Sequence, residues 1–168
     1  DYYAVLGDVA AWQKMDEKYN FDFAVVDWPF IDNGKLYNLT DKNFPTDKWA
    51  LVFMDAKAIV YLKRTEANKR LIEEHEYKYI QPQKIDPSYI QEYLRSPYDW
   101  LMALSEFRRA LEQSPDNYRL HFLYAAFLAQ NSASDQAEIV EHLKKAADLN
   151  YKFSQPRKIL KTAFKVNY

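Results

Sequence analysis

The sequence predicts an α/β plus all-α fold, with a small α/β layer domain followed by a helical-repeat array. Short apolar runs with β-branched residues occur in the first half of the chain, whereas the second half shows only the helical spacing of apolar residues. Pro82 and Pro87 bracket this change of pattern. We therefore place the boundary between residues 1–81 and residues 82–168.

Three apolar runs in the first half are predicted to be strands. They cover residues 23–26, 49–54 and 58–64. Only Asp55-Ala56-Lys57 separates the second run from the third, so these two should pair as an antiparallel hairpin. Asp55 is expected to make the turn, although the turn contains no glycine.

Helical stretches lie before, between and after these strands. One is predicted over residues 8–19, a weak one over 35–41, and a third from Thr65 as N-cap to about residue 76. The resulting order is typical of a small α/β layer domain. A domain of this size buries little core alone, so we expect it to lean on the second half or on sequence outside this chain.

The second half is predicted to be entirely helical. Prolines at positions 97, 115 and 156 are expected at helix starts or between helices, where a missing N–H costs least. The helices are expected over residues 88–95, 98–113, 117–130, 135–149 and 155–164.

One segment of the second half carries a recognisable spacing. Ala103 is followed by an aromatic residue, Phe107, then by a small residue, Ala110, and then by Pro115. Small residues let a partner helix approach, the aromatic ring fills the groove, and the proline ends the helix. This segment resembles the second helix of a tetratricopeptide repeat.

The helix after Pro115 fits the same family less closely. Tyr124, Ala125 and Leu128 stand where the family has leucine, glycine and tyrosine, and His121 stands where it has a tryptophan. The resemblance thus implies about two repeats and a terminal helix. The alternative is an unrelated antiparallel helical hairpin with small residues at its crossings.

A second, degenerate copy of the spacing follows. Ile139, Leu143 and Ala146 repeat the first three positions, and Tyr151 replaces the proline. The offset between the copies is slightly longer than the family period of about 34 residues. The additional residues fall in the segment 131–134.

The tetratricopeptide resemblance also implies a binding surface. In this family the concave face comes mainly from the first helix of each pair. This implies a groove for a protein or peptide partner, lined by Arg119, Phe122, Ala126 and Gln130. The alternative is that these residues pack against the terminal helix or the α/β half.

The first half carries a second resemblance. The segment Phe21-Asp22-Phe23-Ala24-Val25-Val26-Asp27 and the pair Trp49-Ala50-Leu51-Val52-Phe53-Met54-Asp55 and Ala58-Ile59-Val60-Tyr61-Leu62-Lys63-Arg64 resemble the soluble tail of bacterial polytopic membrane proteins related to protein O-mannosyltransferases. The resemblance implies membrane spans upstream of Asp1 and an extracytoplasmic position for this domain. The family's catalytic acidic residues lie in the membrane portion, so no catalytic role is implied for any residue here.

Composition excludes several kinds of chemistry. The formal net charge is −1 and no basic stripe stands out, so the sequence predicts no basic surface that would bind the phosphates of a nucleic acid. The absence of cysteine excludes disulfides, thiol catalysis and a thiolate zinc site. Two glycines argue against a glycine-rich phosphate cradle. We expect no cofactor.

The histidines offer no metal motif. His75, His121 and His142 are not spaced as helical neighbours, and no His-Glu-x-x-His run exists. His75 lies in an acidic helix end that we expect to be solvated. His121 is expected to replace a packing aromatic residue.

The sequence therefore predicts a non-catalytic protein-interaction or scaffold domain, as the soluble tail of a larger bacterial membrane protein. One alternative is an accessory domain that positions an acceptor or sugar for a membrane glycosyltransferase. Another is a purely structural repeat cap. We expect no enzyme activity in this fragment, and the activity of the full-length protein and the oligomeric state stay open.

Overall fold

A computed structural model describes residues 8–28, 30–32, 35–37, 41–80, 82 and 96–167. The chain divides into two units, residues 1–85 and residues 86–168. The first unit is mixed α/β and the described part of the second is helical, in agreement with the predicted fold class.

A three-stranded antiparallel sheet forms the centre of the first unit. Its strands are β1 (Phe23–Asp27), β4 (Trp49–Met54) and β5 (Ala58–Lys63), in the order β1-β5-β4. The predicted strands and the predicted antiparallel hairpin of β4 and β5 are therefore confirmed. The register slips by one residue between Leu51 and Phe53, which marks a bulge in β4.

The turn between β4 and β5 is built around Asp55, as the sequence predicts. Its Oδ1 atom accepts hydrogen bonds from the backbone N–H groups of Lys57 and Ala58, each at 2.7 Å. The backbone N–H of Asp55 donates to the carbonyl of Ala58 at 2.9 Å. The side chain thus organises a tight turn without glycine.

We expect Asp55→Ala to destabilise the first unit by about 1 kcal/mol, because two backbone N–H groups lose their acceptor. Urea unfolding at equilibrium measures this loss. Asp55→Asn is the matched control, since its amide oxygen can still accept both hydrogen bonds. Equal losses in the two variants would contradict the assigned role.

A second small sheet replaces the weak helix predicted over residues 35–41, so that prediction is wrong. Strands β2 (Phe30–Asp32) and β3 (Lys35–Tyr37) pair antiparallel. Asp41–Asn43 forms a short 3₁₀ turn. The segment is too short to nucleate an α-helix alone, and pairing with β2 satisfies its backbone.

Two helices accompany the main sheet. Helix α1 (Val9–Tyr19) is capped by the Asp8 carboxylate, which accepts from two backbone N–H groups of the first turn. Helix α2 (Lys69–His75) begins later than predicted, so Thr65 is not its N-cap. The Nδ2 group of Asn68 instead donates to the carbonyls of Asp22 and Lys63, and the backbone before α2 is held in a turn.

Aromatic rings dominate the core on one face of the sheet. Phe44 stacks on Tyr61 with ring centroids 4.3 Å apart, and Trp49 meets the Phe44 ring edge-on at 5.5 Å. Trp12 of α1 lies 5.1 Å from Phe44. Trp12 is buried, whereas Tyr19 at the end of the same helix is exposed.

The second unit contains four helices in the described residues 96–167. The four helices predicted there are confirmed, and the helix predicted over residues 88–95 lies outside the described residues. The helices are α3 (Pro97–Gln113), α4 (Tyr118–Leu128), α5 (Gln136–Leu149) and α6 (Ser154–Ala163).

Helix starts in this unit follow from capping chemistry. Ser96, Asn117 and Asp135 each stand at an N-cap, and each side-chain oxygen accepts from a backbone N–H of the following turn. Pro97 occupies the first position of α3, where its missing N–H costs nothing.

Small residues form the helix crossings of the second unit. Five alanines are at most 1% exposed, and they are Ala103, Ala110, Ala125, Ala146 and Ala147. Phe107 is buried too, and its ring lies 5.3 Å from that of Tyr124 and 5.1 Å from that of Phe127. Leu128, Ile139 and Leu143 are buried as well.

Pro115 differs from the other residues of the predicted repeat pattern because it is exposed. It lies in the turn that follows the end of α3 at Gln113. Its side chain therefore adds no buried packing, and its backbone carbonyl takes part in the contacts of His121 instead.

Candidate functional site

The residues predicted to line a groove lie along one side of α4 and just beyond it. Arg119, Phe122 and Ala126 are half-buried, and Gln130 is exposed after the helix ends. The Arg119 guanidinium lies 5.3 Å from the centroid of the Tyr118 ring. This side of α4 therefore presents one cation, one amide and a small apolar position.

An aromatic contact covers part of this side of α4. The Phe153 ring meets the Phe122 ring at 5.0 Å and the Tyr118 ring at 5.3 Å, both nearly edge-on. Phe153 belongs to the turn between α5 and α6. Phe122 is thus used for internal packing, as one of the alternatives for these residues proposes.

Arg157 of α6 holds this turn in place. Its guanidinium donates to the carbonyl of Tyr151 at 3.0 Å and also to the carbonyl of Ala147. These carbonyls lie at and just beyond the C-terminal end of α5, where a cation is favoured by the helix dipole. These hydrogen bonds of Arg157 therefore help to hold Phe153 against Phe122.

A pair of histidines joins α4 to α5. The Nδ1 atoms of His121 and His142 are 2.8 Å apart, within hydrogen-bond distance. The Nε2 atom of His121 is 2.9 Å from the carbonyl oxygen of Pro115. His121 is only 4% exposed, so it lies in the core, as expected for a residue that replaces a packing aromatic ring.

Hydrogen-bond chemistry assigns the tautomers of the neutral pair. A carbonyl can only accept, so the Nε2–H of His121 donates to Pro115. A neutral imidazole has one N–H, and the Nδ1 of His121 is therefore an acceptor. It follows that the Nδ1–H of His142 donates to His121 and that the Nε2 of His142 keeps its lone pair.

Further polar groups surround the pair. The Tyr124 hydroxyl donates to Oε1 of Glu138 at 2.9 Å, and the Tyr124 ring stands perpendicular to the His142 ring at 4.7 Å. Burial, and then the hydrogen bond to Glu138, raise the pKa of Tyr124. Arg108 of α3 also interacts with Tyr124, so the network spans three helices.

Burial keeps both histidines neutral. It is the largest cause that lowers the pKa of His142, to about 4, and the neighbouring His121 lowers it further. Burial also lowers the pKa of His121, against the opposing effect of its hydrogen bond to Pro115. The pair was not predicted from the sequence, although His142 lies within the Ile139, Leu143 and Ala146 series that faces the core.

The first unit contains a pocket of about 480 Å³ beside β4. Phe44, Trp49 and Tyr61 are no more than 6% exposed, because Tyr61 stacks on Phe44 and Trp49 meets Phe44 edge-on. Arg64 pairs with Glu76 at the polar side. The pocket is lined by Phe44, Thr46, Trp49, Leu51, Tyr61, Arg64, Glu76, Tyr77, Lys78 and Ile80.

Metal-binding geometry is absent from the described part of the chain, where no three histidine or carboxylate side chains converge as a possible ligand set. None of the helices in the described ranges combines the length and the apolar character needed to cross a bilayer. Comparisons with protein families, curated proteins and solved structures found no match for this chain.

Proposed function

We propose that this chain is a non-catalytic protein-interaction and scaffold domain, whose second unit is a tetratricopeptide-like helical-repeat array. The observation that carries the proposal is the series of close helix crossings at Ala103, Ala110, Ala125 and Ala146, each at most 1% exposed. Repeat arrays stack consecutive helices through such crossings and present a continuous side to partners. Short turns join α3 to α4 and α5 to α6.

The proposed partner is a peptide or a protein segment. Arg119, Ala126 and Gln130 would contact it, because they remain partly or fully exposed along α4 and beyond. Arginine is enriched at the energetically important positions of protein interfaces. Phe122 would not contact the partner directly. Its contact with Phe153 would instead fix the turn next to the side of α4 that binds the partner.

Phage-displayed random peptides, selected against the whole chain, test this proposal. We expect the selected peptides to bind the variant Arg119→Ala with Gln130→Ala about tenfold more weakly, because two side chains of the binding side are lost. Lys144→Ala is the matched control, since Lys144 is an exposed residue of α5. It should leave the affinity unchanged.

Two results would overturn the proposed binding side. One is the failure to select any peptide above the background obtained with an unrelated protein. The other is equal binding by the double variant and by Lys144→Ala. Circular dichroism of all variants separates a loss of binding from a loss of folding.

The proposal includes an extracytoplasmic position, as the tail of a larger bacterial membrane protein. This part rests on the resemblance of the β4–β5 hairpin region to such tails. Sequencing the gene upstream of Asp1 tests it, since several apolar segments of roughly 20 residues are expected there. Their absence would remove both this position and the alternative of a sugar-positioning domain, and it would leave the interaction array itself untouched.

A further inference from the structure

We propose that the His121–His142 pair is a proton-sensitive latch, which holds α4 against α5 at neutral pH and weakens their contact under mildly acidic conditions. The geometry carries this proposal. The two rings meet through their Nδ1 atoms at 2.8 Å, and His121 is tied at its other nitrogen to the carbonyl of Pro115. Helices α4 and α5 pack against each other more extensively than any other pair of elements in the described ranges.

The pair accepts protons in a defined order. A first proton can add to the Nε2 of His142, because that nitrogen keeps its lone pair and the hydrogen bond to His121 survives. A second proton has only the Nδ1 of His121 as its site. It would place two N–H donors face to face at 2.8 Å, so the contact between the rings would break.

Charged and titratable groups around the rings modulate this order. Lys145 of α5 opposes protonation of both histidines, whereas Glu141 of the same helix favours it. These two side chains pair with each other at 2.9 Å. Glu138 favours a charge on His142, and Asp116 in the turn before α4 favours one on His121.

Tyr124 of α4 packs against His142. The Tyr124 ring meets the His142 ring edge-on, and the Tyr124 hydroxyl donates to Glu138. Arg108 of α3 interacts with Tyr124 as well. Burial disfavours an imidazolium on either ring more strongly than the neighbouring acids favour it, so both pKa values are lowered.

The direction of the pH effect follows from proton counting. In the unfolded chain both histidines bind protons as the pH falls below about 6.5. The folded chain binds fewer, because both pKa values are lowered by burial. Stability is therefore fully present above about pH 6.5 and is lost as the pH falls through the folded pKa of His142, at about 4.

The matched variant is His142→Asn in the whole chain. An asparagine amide can donate to the Nδ1 of His121 in place of the imidazole, and it does not titrate. Between about pH 7 and about pH 4.5, we expect the unfolding temperature of the native chain to fall by roughly 5 °C more than that of His142→Asn. His75→Asn is the control for the loss of an imidazole elsewhere in the chain, since His75 is an exposed residue of α2, and it should leave amide exchange in α4 and α5 as in the native chain.

Imidazole nitrogen NMR of the native chain tests the latch without any substitution. We expect both rings of the pair to stay neutral at neutral pH, with His121 in the Nε2–H tautomer. Amide hydrogen exchange in α4 and α5 should accelerate more than in α3 as the pH is lowered, after correction for intrinsic rates. A charged His121 or His142 ring at neutral pH, or the same pH dependence in His142→Asn and the native chain, would overturn the proposal.

Discussion

Phe107→Ala is expected to destabilise the helical unit by about 3–5 kcal/mol. Phe107 is 2% exposed, and its ring packs against Tyr124 and Phe127 of α4. Truncation leaves a cavity between α3 and α4 that the small residues around it cannot fill. Such a loss is a large share of the 5–15 kcal/mol that stabilises a typical domain.

Urea unfolding followed by far-ultraviolet circular dichroism measures the effect of Phe107→Ala, and amide exchange in residues 96–167 assigns it to the second unit. Phe107→Leu is the matched control, because a smaller change of volume is expected to cost less than about 1.5 kcal/mol. A loss below about 1 kcal/mol for the alanine variant would show that the crossing of α3 and α4 does not depend on this ring.

Trp49→Ala is expected to cause a loss of similar size in the first unit, about 3–5 kcal/mol. The side chain is 2% exposed and contacts Phe44 edge-on. The indole also lies 6.3 Å from Trp12, and the Nζ atom of Lys63 lies 5.7 Å from its ring. Removal of this ring thus disconnects α1 from β4 and exposes the centre of the aromatic core.

Amide hydrogen exchange of the β4 and β5 backbone measures the loss of stability in Trp49→Ala, because Trp49 lies in β4 and this strand pairs with β5. Trp49→Phe provides the comparison, because it keeps an aromatic ring against Phe44 and should lose less than the alanine variant. If the backbone amides of β4 and β5 exchange as slowly in both variants as in the native chain, then the stability of this sheet comes from other contacts.

The bounds of the main strands were predictable because local chemistry sets them. The apolar run of β4 ends at Asp55, whose carboxylate organises the turn before β5 begins. The position of β1 beside β5 depends instead on a pairing between distant segments. Nothing in the spacing of apolar residues specifies which edge of the hairpin β1 will join.

Some helix starts are likewise set by local chemistry, whereas another depends on a contact between distant segments. Asn117 and Asp135 cap their helices with their own side chains, so the sequence analysis placed these starts correctly. Thr65 is an equally good cap by type, but the Nδ2 group of Asn68 binds the carbonyls of Asp22 and Lys63, and α2 begins only afterwards. A tertiary contact here overrides a local preference.

The candidate site was predictable only in part. The tetratricopeptide resemblance implied that Arg119, Phe122 and Ala126 share one side of α4, but it did not predict that Phe153 would cover Phe122. The contact of His121 with His142 depends on the rotation of two packed helices about their axes. Spacing along one helix does not specify that rotation, so the hydrogen bond between the rings was not predicted.

The alanine crossings restrict how this protein can change over evolutionary time. The alanines at positions 103, 110, 125, 146 and 147 are at most 1% exposed, so a larger side chain has no room there and would push the packed helices apart. Only glycine or serine could replace alanine there at modest cost. Distant relatives should therefore be recognisable by small residues at these five positions, even where their exposed surfaces share nothing with this chain.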